Sequence, residues 1–340
     1  MRMILHRAYA SCLPLALMAV ALVLLLAGVA TVRRAFETWL NFTPRPAAQF
    51  AIALVAPRAT NDAWVASGYC GAQRIAQQLG AQLALIIANE DQPAGIAVAL
   101  SNAAVAGADV VIGHGGQFVE PCKAIARLFP KTSFVVVGEY AGNGRNLGAV
   151  SFRDEETGFL AGCLAASCTS NGRVAYVGGM PLQHMRRKGI AFAKGARFIT
   201  PDLVTTAVFA GSWVDGARAC ALGDVLCRAG FDVVSVDADS AGLALQRHLA
   251  GRAQVIPWTT TDTMAPEATA GQIVQRPDLL IEHSVALIWQ GTWQGRQYRL
   301  GVREGVHDVL LRAAALPLPC AQRIYHARDL LRAGDLDVGH

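Results

Sequence analysis

From residue 49 onward, short apolar runs alternate with longer stretches in which apolar positions recur at helical spacing. Short apolar runs bounded by turn residues predict strands, and the helical spacing predicts helices. This first series contains three predicted helices: one covers 63–79, one begins after Asp91, and one ends at Leu128. The predicted strands of this first series are FAIALVAP, QLALIIAN, DVVIGHG and SFVVVGE. The pattern is therefore a repeated strand–helix unit.

A second series with the same alternation begins with NLGAVSF at 146–152. Its further strands are GRVAYVGGM, TTAVFAGS, DVVSVD and AQVIPWT. Such uniformly apolar strands are typical of sheets buried on both faces, and helical crossovers between them make the sheets parallel. The predicted fold class is α/β, with two doubly wound lobes joined by a hinge. The first lobe comprises 49–150 plus about 284–340, including a final helix near 322–333, and the second comprises 151–283.

An uncharged apolar run occupies residues 12–31, with Arg2 and Arg7 before it and Arg33 and Arg34 after it. About 20 helical residues span the roughly 30 Å of a bilayer core, so this segment predicts a membrane anchor. A secretory signal peptide cut near the small residues at 28–30 is the alternative. Residues 1–31 are then an anchor or signal helix, and 32–48 form a linker. The folded part is expected to be extracytoplasmic at the cell membrane, or periplasmic or secreted after cleavage.

Charge and cysteine usage narrow the classes of function. The formal charge is +5, but its 30 basic residues are scattered and form no stripe suited to nucleic acid. The eight cysteines include no CxxC pair, which favours a packing role and leaves a pair between distant cysteines open. We find no sequence pattern for a cofactor or a metal site. The chain also lacks a Walker loop and a nucleophile elbow, so we expect no enzyme; the less favoured enzymatic alternative would use His114, Glu139 or Asp237 as acid or base.

Two tryptophans follow predicted strands, one in each lobe. Trp64 comes after the first strand, beside Asn61 and Asp62, and Trp213 follows TTAVFAGS. Ligands bind at the carboxyl ends of strands in doubly wound folds, and two aromatic side chains from opposite lobes could enclose a planar ring. The alternatives are helix capping by the polar pair and core packing by either tryptophan. His114, after the third strand, is a further candidate ligand donor.

Polar residues at other strand ends suit the hydroxyl groups of a sugar. Asp237 ends the DVVSVD strand, while Thr259 and Asp262 follow VIPW. Carboxylates and hydroxyls at these positions could accept or donate hydrogen bonds to a ligand. The alternative is that they are solvated loop residues.

Several segments resemble the basic membrane protein (BMP) family over about 49–335. The resemblance rests on NDAWVASGYCGA, LGAVSFRDEETGFLAGCLAA, FAGSWVDGARA and ARDLLRAGDLDV. Members of this PnrA-like family are nucleoside-binding lipoproteins of ABC importers with the type I periplasmic binding protein fold. The resemblance implies that Trp64 and Trp213 take the places of base-stacking phenylalanines. It also implies a small-molecule ligand and an ABC permease as partners.

The polar positions of the family are only partly present. Glu139 stands one place after the usual acidic position, Thr259 replaces the first acidic residue of the last strand end, and Gln275 stands where a lysine is expected. Val29 occupies the place of the acylated cysteine. The resemblance implies a non-enzymatic, extracytoplasmic binding protein for a nucleoside or related aromatic ligand, serving ABC-type uptake. The alternative is a membrane-anchored sensor or protein-interaction module that has lost nucleoside binding.

Overall fold

The computed structural model describes residues 50–57, 63–88 and 93–339. Within these ranges the strands form two six-stranded sheets. The first sheet contains β1 (Ala51–Ala56), β2 (Gln82–Ile87), β3 (Val110–Gly113), β4 (Ser133–Val137), β5 (Leu147–Phe152) and β11 (Gln297–Leu300). The second contains β6 (Arg173–Gly178), β7 (Val204–Phe209), β8 (Val233–Asp237), β9 (Gln254–Thr259), β10 (Gly271–Gln275) and β12 (His307–Leu311). The described helices are α1 (Ala63–Leu79), α2 (Pro93–Val105), α3 (Val119–Ile125), α4 (Asp154–Cys168), α5 (Gln183–Ile199), α6 (Gly216–Arg228), α7 (Asp239–His248), α8 (Pro277–Trp289) and α9 (Leu318–Ala333).

Both sheets have the same strand order, which confirms the predicted pair of doubly wound lobes. The orders are β2-β1-β3-β4-β5-β11 and β7-β6-β8-β9-β10-β12. Neighbouring strands are parallel except for the antiparallel pair of β10 and β12. Sequence analysis predicted neither of these two strands, because the polar residues in GQIVQ and HDVLL keep either segment from standing out as an apolar run.

Burial of a strand depends on its place in the sheet. In the central strands β1 and β6, five of the six residues are buried. The edge strands β2 and β7 instead mix exposed and half-buried residues. Consecutive side chains of a strand point to opposite faces, and Leu54 and Val55 accordingly belong to separate hydrophobic cores on the two faces of the first sheet. The largely apolar sequence of β2, QLALII, therefore predicted more burial than this edge strand has.

The chain passes between the lobes after β5, after β10 and between β11 and β12. Helix α8 packs against α1 of the first lobe, whereas α9 packs against α4 of the second. The observed pairing thus differs from the expected assignment of 284–340 to the first lobe: from His307 onward the chain lies with the second lobe. The reason is the short connection at 301–306, which returns β12 to the free side of β10.

Local sequence explains several helix boundaries. Asp215 caps α6 by accepting a hydrogen bond from the Arg218 N–H at 3.0 Å. Pro277 stands in the first turn of α8, where no intrahelical N–H is needed, and Gly334 ends α9 in the left-handed conformation. No helix in the described ranges is long and apolar enough to cross a bilayer. The predicted span at 12–31 lies outside those ranges. The seven cysteines of the described chain are free.

Candidate ligand-binding cleft

Most of the candidate residues lie at the carboxyl ends of strands in the two lobes. His114 follows β3, Asp237 and Thr259 are the last residues of β8 and β9, and Gln275 is the last residue of β10. Open α/β sheets bind ligands at this edge. The predicted pair Asn61 and Asp62 lies outside the described residues.

Trp64 forms an aromatic surface on the first lobe. Its indole stacks on the His114 imidazole, with ring centroids 5.1 Å apart and planes within 6° of parallel. The Phe152 ring meets the indole edge-on at 6.0 Å. His114 is fully buried, and its Nε2 lies 2.9 Å from the Trp64 carbonyl oxygen. His114 therefore packs against the inner face of the Trp64 indole, and its predicted role as a ligand donor stays a prediction.

Trp213 forms a similar surface on the second lobe. Its indole lies against Gly179, where any side chain would overlap the ring. The Trp213 carbonyl oxygen accepts hydrogen bonds from Ser240 Oγ at 3.2 Å and from the Ala241 N–H at 3.0 Å. The Gly179 N–H in turn donates to the Asp237 carbonyl oxygen at 3.0 Å. The Trp213 ring and Asp237 thus flank the same turn.

A buried lysine lies beside these groups. Lys188 Nζ is 2.9 Å from Asp237 Oδ2 and 3.3 Å from Asp154 Oδ1. It also donates to Gln275 Oε1 at 3.2 Å. All three hydrogens of the ammonium group therefore have acceptors, which is the condition for stable burial of a lysine. Asp237 and Gln275, both predicted as ligand-binding residues, meet at this cation.

Electrostatics keep the lysine charged. Burial acts to lower the pKa of Lys188, but the carboxylates of Asp237 and Asp154 outweigh it, and the pKa is raised. Burial also raises the pKa of Asp154, with Lys188 opposing. Tyr176 is fully buried and donates to Asp237 Oδ2 at 3.1 Å. Burial, followed by the Asp237 charge, raises the pKa of Tyr176 well above its usual value, so its hydroxyl remains a donor.

His307 lies at the junction of the lobes, beside Phe152 of the first lobe. Its ring lies 4.7 Å from the Phe152 ring, and His307 is the strand partner of Gln275. The ring nitrogens make no hydrogen bond of ordinary geometry within the described chain. Burial lowers the pKa of His307 well below its usual value, the nearby Lys188 charge adds to this shift, and backbone groups of Arg153 and Val306 oppose it weakly. The ring is therefore neutral.

Ion pairs join the lobes beside the cleft. Glu139 of the first lobe pairs with Arg187 of α5. Arg187 Nε lies 3.0 Å from Glu155 Oε1, and Arg299 of β11 donates to Glu155 Oε2 at 2.7 Å. These side chains border a cavity of about 360 Å³, which is lined by Glu139, Tyr140, Ala141, Glu155, Arg187, Gln297 and Arg299. Glu139, a predicted ligand residue, is here part of the contact between the lobes.

Two other candidates are engaged within the loop after β9. Thr259 Oγ1 donates to the Thr261 carbonyl oxygen at 3.0 Å and accepts from Gln272 Nε2 at 3.0 Å. Asp262 is largely exposed and forms an ion pair with Arg276 at 2.7 Å. Both contacts organise the loop itself.

Sequence analysis missed Lys188, Tyr176, Arg187 and His307. One signal was available: Met185, Lys188 and Phe192 have the spacing of one helix face, and both apolar members are buried. A lysine in such a row is either at the edge of the buried face or paired within it. The sequence offered no comparable signal for His307, because its strand was not predicted.

Comparisons with known proteins agree with the fold. The Bmp family model, "ABC transporter substrate-binding protein PnrA-like", matches residues 50–312. The ABC transporter nucleoside-binding protein BmpA of Lactococcus lactis is 28% identical over 136 residues, which are 40% of this chain and 39% of that protein. The transcriptional activator protein med of Bacillus subtilis is 24% identical over 205 residues, or 60% and 63% of the two chains. The matched segments thus span about two fifths and three fifths of these relatives.

Solved structures show the same architecture at lower identity. A solute-binding protein of an ABC transporter system from Aeropyrum pernix superposes with a TM-score of 0.71 at 16% identity, covering 85% of this chain and 92% of that one. A transcriptional activator of the comK gene from Bacillus halodurans gives 0.75 at 19% identity, covering 84% and 99%. At these identities the likeness concerns the fold alone. Together with the family match over most of the described residues, it establishes that the chain belongs to the Bmp family of PnrA-like ABC transporter substrate-binding proteins.

Proposed function

We propose that this protein binds a nucleoside or a related aromatic compound between its two lobes and delivers it to an ABC-type permease. The observation that carries the proposal is the pair of supported tryptophans. The Trp64 indole packs on His114, and the Trp213 indole packs on Gly179. Both indoles remain partly exposed, and they follow strands of opposite lobes. Each stacking contact with a planar ring contributes about 0.5–1.5 kcal/mol beyond the buried area.

The nucleoside assignment has two further supports. The relative from Lactococcus lactis is named a nucleoside-binding protein. In this chain, the Asp237 backbone contacts Gly179, which the Trp213 ring covers, so a residue with a carboxylate lies near the proposed stacking surface. We expect the ligand to be released chemically unchanged, as befits a transport receptor. Closure of the lobes would be a population shift driven by contacts that the ligand makes with both lobes.

We further propose that residues 12–31 direct the protein to the membrane and hold the folded lobes on the extracytoplasmic side. The support is the sequence alone: an uncharged run about as long as a bilayer core, with basic residues on both sides. Alkaline extraction of membranes, followed by N-terminal sequencing of the recovered protein, distinguishes retention of this segment from its removal.

Thermal unfolding of purified residues 48–340 against a panel of nucleosides, free bases, sugars and amino acids tests the proposed ligand class. A nucleoside at about 100 times its dissociation constant should stabilise the fold by roughly 2.7 kcal/mol. Trp64→Ala and Trp213→Ala should each abolish most of this shift. Chromatography of the released compound should return it unaltered.

Trp289→Ala is the matched control. Trp289 packs on Phe50 at the start of β1, at the opposite end of the sheet from the cleft, with ring centroids 5.0 Å apart. This variant should lose stability but retain the ligand-induced shift. A panel in which no nucleoside or base stabilises the wild-type protein would rule out the proposed ligand class.

A further inference from the structure

Asp237 is held asymmetrically by its neighbours. Lys188 Nζ, at 2.9 Å, and the Tyr176 hydroxyl, at 3.1 Å, both donate to the same oxygen, Oδ2. Within the described chain, Oδ1 of Asp237 receives no hydrogen bond. The Asp237 side chain is 13% exposed, against 5% for the Lys188 side chain beneath it. The carboxylate therefore has one oxygen fixed in the protein interior and one left to accept.

Burying the charge of Lys188 and of its carboxylate partners costs free energy. A buried ion pair is often no more stable than apolar side chains of similar volume, because both charges lose their hydration. Position 188 belongs to an apolar helix face, and Lys188 Nζ also lies 4.7 Å from the centre of the Trp258 ring. Apolar residues in place of the whole ion cluster would fit this setting. The lysine is thus better explained by what it does to Asp237 than by stability.

Asp237 is also close to the proposed stacking surface. The Gly179 N–H donates to the Asp237 carbonyl oxygen, and the Trp213 ring covers Gly179. The Asp237 backbone and the Trp213 ring are therefore both in contact with Gly179, which brings the Asp237 side chain into the neighbourhood of a ring stacked on Trp213. A carboxylate oxygen accepts hydrogen bonds from hydroxyl groups and repels anions.

We propose that Lys188 is a positioning residue that holds the Asp237 carboxylate turned so that Oδ1 accepts a hydrogen bond from a sugar hydroxyl of the ligand. Tyr176 fixes the same orientation from the side. The arrangement selects nucleosides with free ribose hydroxyls over their deoxygenated analogues. This inference rests on the proposed function, since it concerns the polar part of the same ligand.

The test compares dissociation constants, by isothermal titration calorimetry, for two matched pairs: adenosine with 2′,3′-dideoxyadenosine, and uridine with 2′,3′-dideoxyuridine. A hydrogen bond to a charged acceptor should give the wild-type protein at least about a tenfold preference for the ribonucleoside. In Lys188→Met and Asp237→Asn this preference should fall toward one, while affinity for the dideoxynucleoside stays the same. A purely structural role for Lys188 would instead weaken both members of a pair equally.

Lys194→Met is the matched control on the same helix. Lys194 Nζ donates to the Val338 carbonyl oxygen at 3.3 Å, away from Asp237, so the preference should be retained. If circular dichroism shows that Lys188→Met does not fold, Tyr176→Phe tests the inference instead. This substitution removes one hydrogen-bond donor from Oδ2 without leaving an unpaired charge. We expect it to reduce the preference for the ribonucleoside about threefold. A wild-type preference near one, or an unchanged preference in the variant that folds, overturns the inference. If no nucleoside binds the wild-type protein, the proposed function fails together with it.

Discussion

His307 makes the stability of the folded protein sensitive to acid. Burial, reinforced by the charge of Lys188, lowers the pKa of His307 well below its usual value, whereas the unfolded chain titrates near the ordinary value of about 6.5. Below about pH 6.5 the unfolded state therefore binds a proton at His307 that the folded state does not bind. Stability is retained above the unfolded pKa and falls as the pH drops below it.

The predicted size of this effect is about 1.4 kcal/mol of lost stability at pH 5.5 relative to pH 7.5. His307→Leu should remove this contribution, so the variant should lose less stability between the two pH values than the wild-type protein. Urea unfolding at both pH values measures the difference. His326→Leu, on the exposed side of α9, is the control and should keep the wild-type pH dependence. Equal pH dependence in His307→Leu and wild type would contradict the assignment.

Individual residues differ in how far the sequence could predict their roles. The position of Trp64 and Trp213 after strands followed from the apolar alternation, because a strand that ends in a parallel sheet delivers the next residue to the ligand-binding edge. The partner of Asp237 did not follow, since Lys188 lies 49 residues earlier and only the packing of α5 on the sheet brings them together. The sequence of the loop after β3 does not indicate whether His114 faces the ligand or the core; in the structure the side chain is buried and stacks on Trp64.

At the scale of elements, α4 and α5 pack with their backbones in close contact. Side chains at Gly158 and Gly162 of α4 would overlap the carbonyl oxygens of Lys188 and Phe192, and one at Gly195 of α5 would overlap that of Phe159. This close approach sets the distance between α4 and α5. Lys188 lies at the contact itself, since its carbonyl oxygen is the atom that a side chain at Gly158 would overlap.

Gly162→Ala should destabilise the protein despite the better helix propensity of alanine. The propensity gain is about 1 kcal/mol, whereas forcing apart two well-packed backbones costs typically about 1–3 kcal/mol. We expect a net loss of stability in urea unfolding. Gly116→Ala, in the loop after β3 with no atom within 4 Å of the added methyl group, should change stability by less than about 0.5 kcal/mol. A neutral or stabilising Gly162→Ala would show that the two helices separate without strain.

The element pattern also shows why the sequence was a good guide to the helices and a poorer one to the late strands. Repeated strand–helix units have strong, regular signals, and each predicted unit is present. Strands β10 and β12 contain polar residues, and β12 has no helix before it. Their pairing depends on the sheet edge that they join, which local sequence does not encode.

For the whole molecule, the first turn of α4 connects the lobes. Asp154 contacts Lys188, Glu155 contacts both Arg187 and Arg299, and Glu156 Oε2 accepts from the Val302 N–H at 2.7 Å. Acidic groups are favoured at a helix N-terminus, which suits three carboxylates at the point where the chain enters the second lobe. The sequence predicted that the chain enters the second lobe near residue 151. It did not predict that Arg299 and Val302, which lie near a later crossing, contact this helix, because that contact depends on the complete fold.

The cross-lobe pair of Glu139 and Arg187 should bias the lobes toward the closed arrangement before any ligand binds. Both side chains are partly exposed, at 34% and 25%, so the pair contributes at most about 1 kcal/mol, equivalent to a roughly fivefold change in the ratio of closed to open forms. Arg187→Gln should therefore increase the radius of gyration of the ligand-free protein in small-angle X-ray scattering. High salt should bring the wild-type protein toward the same value, because it screens exposed charges.

Lys123→Gln provides the comparison for this experiment, since it removes an exposed ion pair with Glu120 that lies wholly within α3. Its radius of gyration should equal that of the wild-type protein at every salt concentration. Ligand affinity should fall up to about fivefold in Arg187→Gln and remain unchanged in Lys123→Gln, because only the first substitution alters the population that is ready to bind. If Arg187→Gln scatters like the wild-type protein at low salt, the ion pair has no influence on closure, and the ligand contacts alone must bring the lobes together.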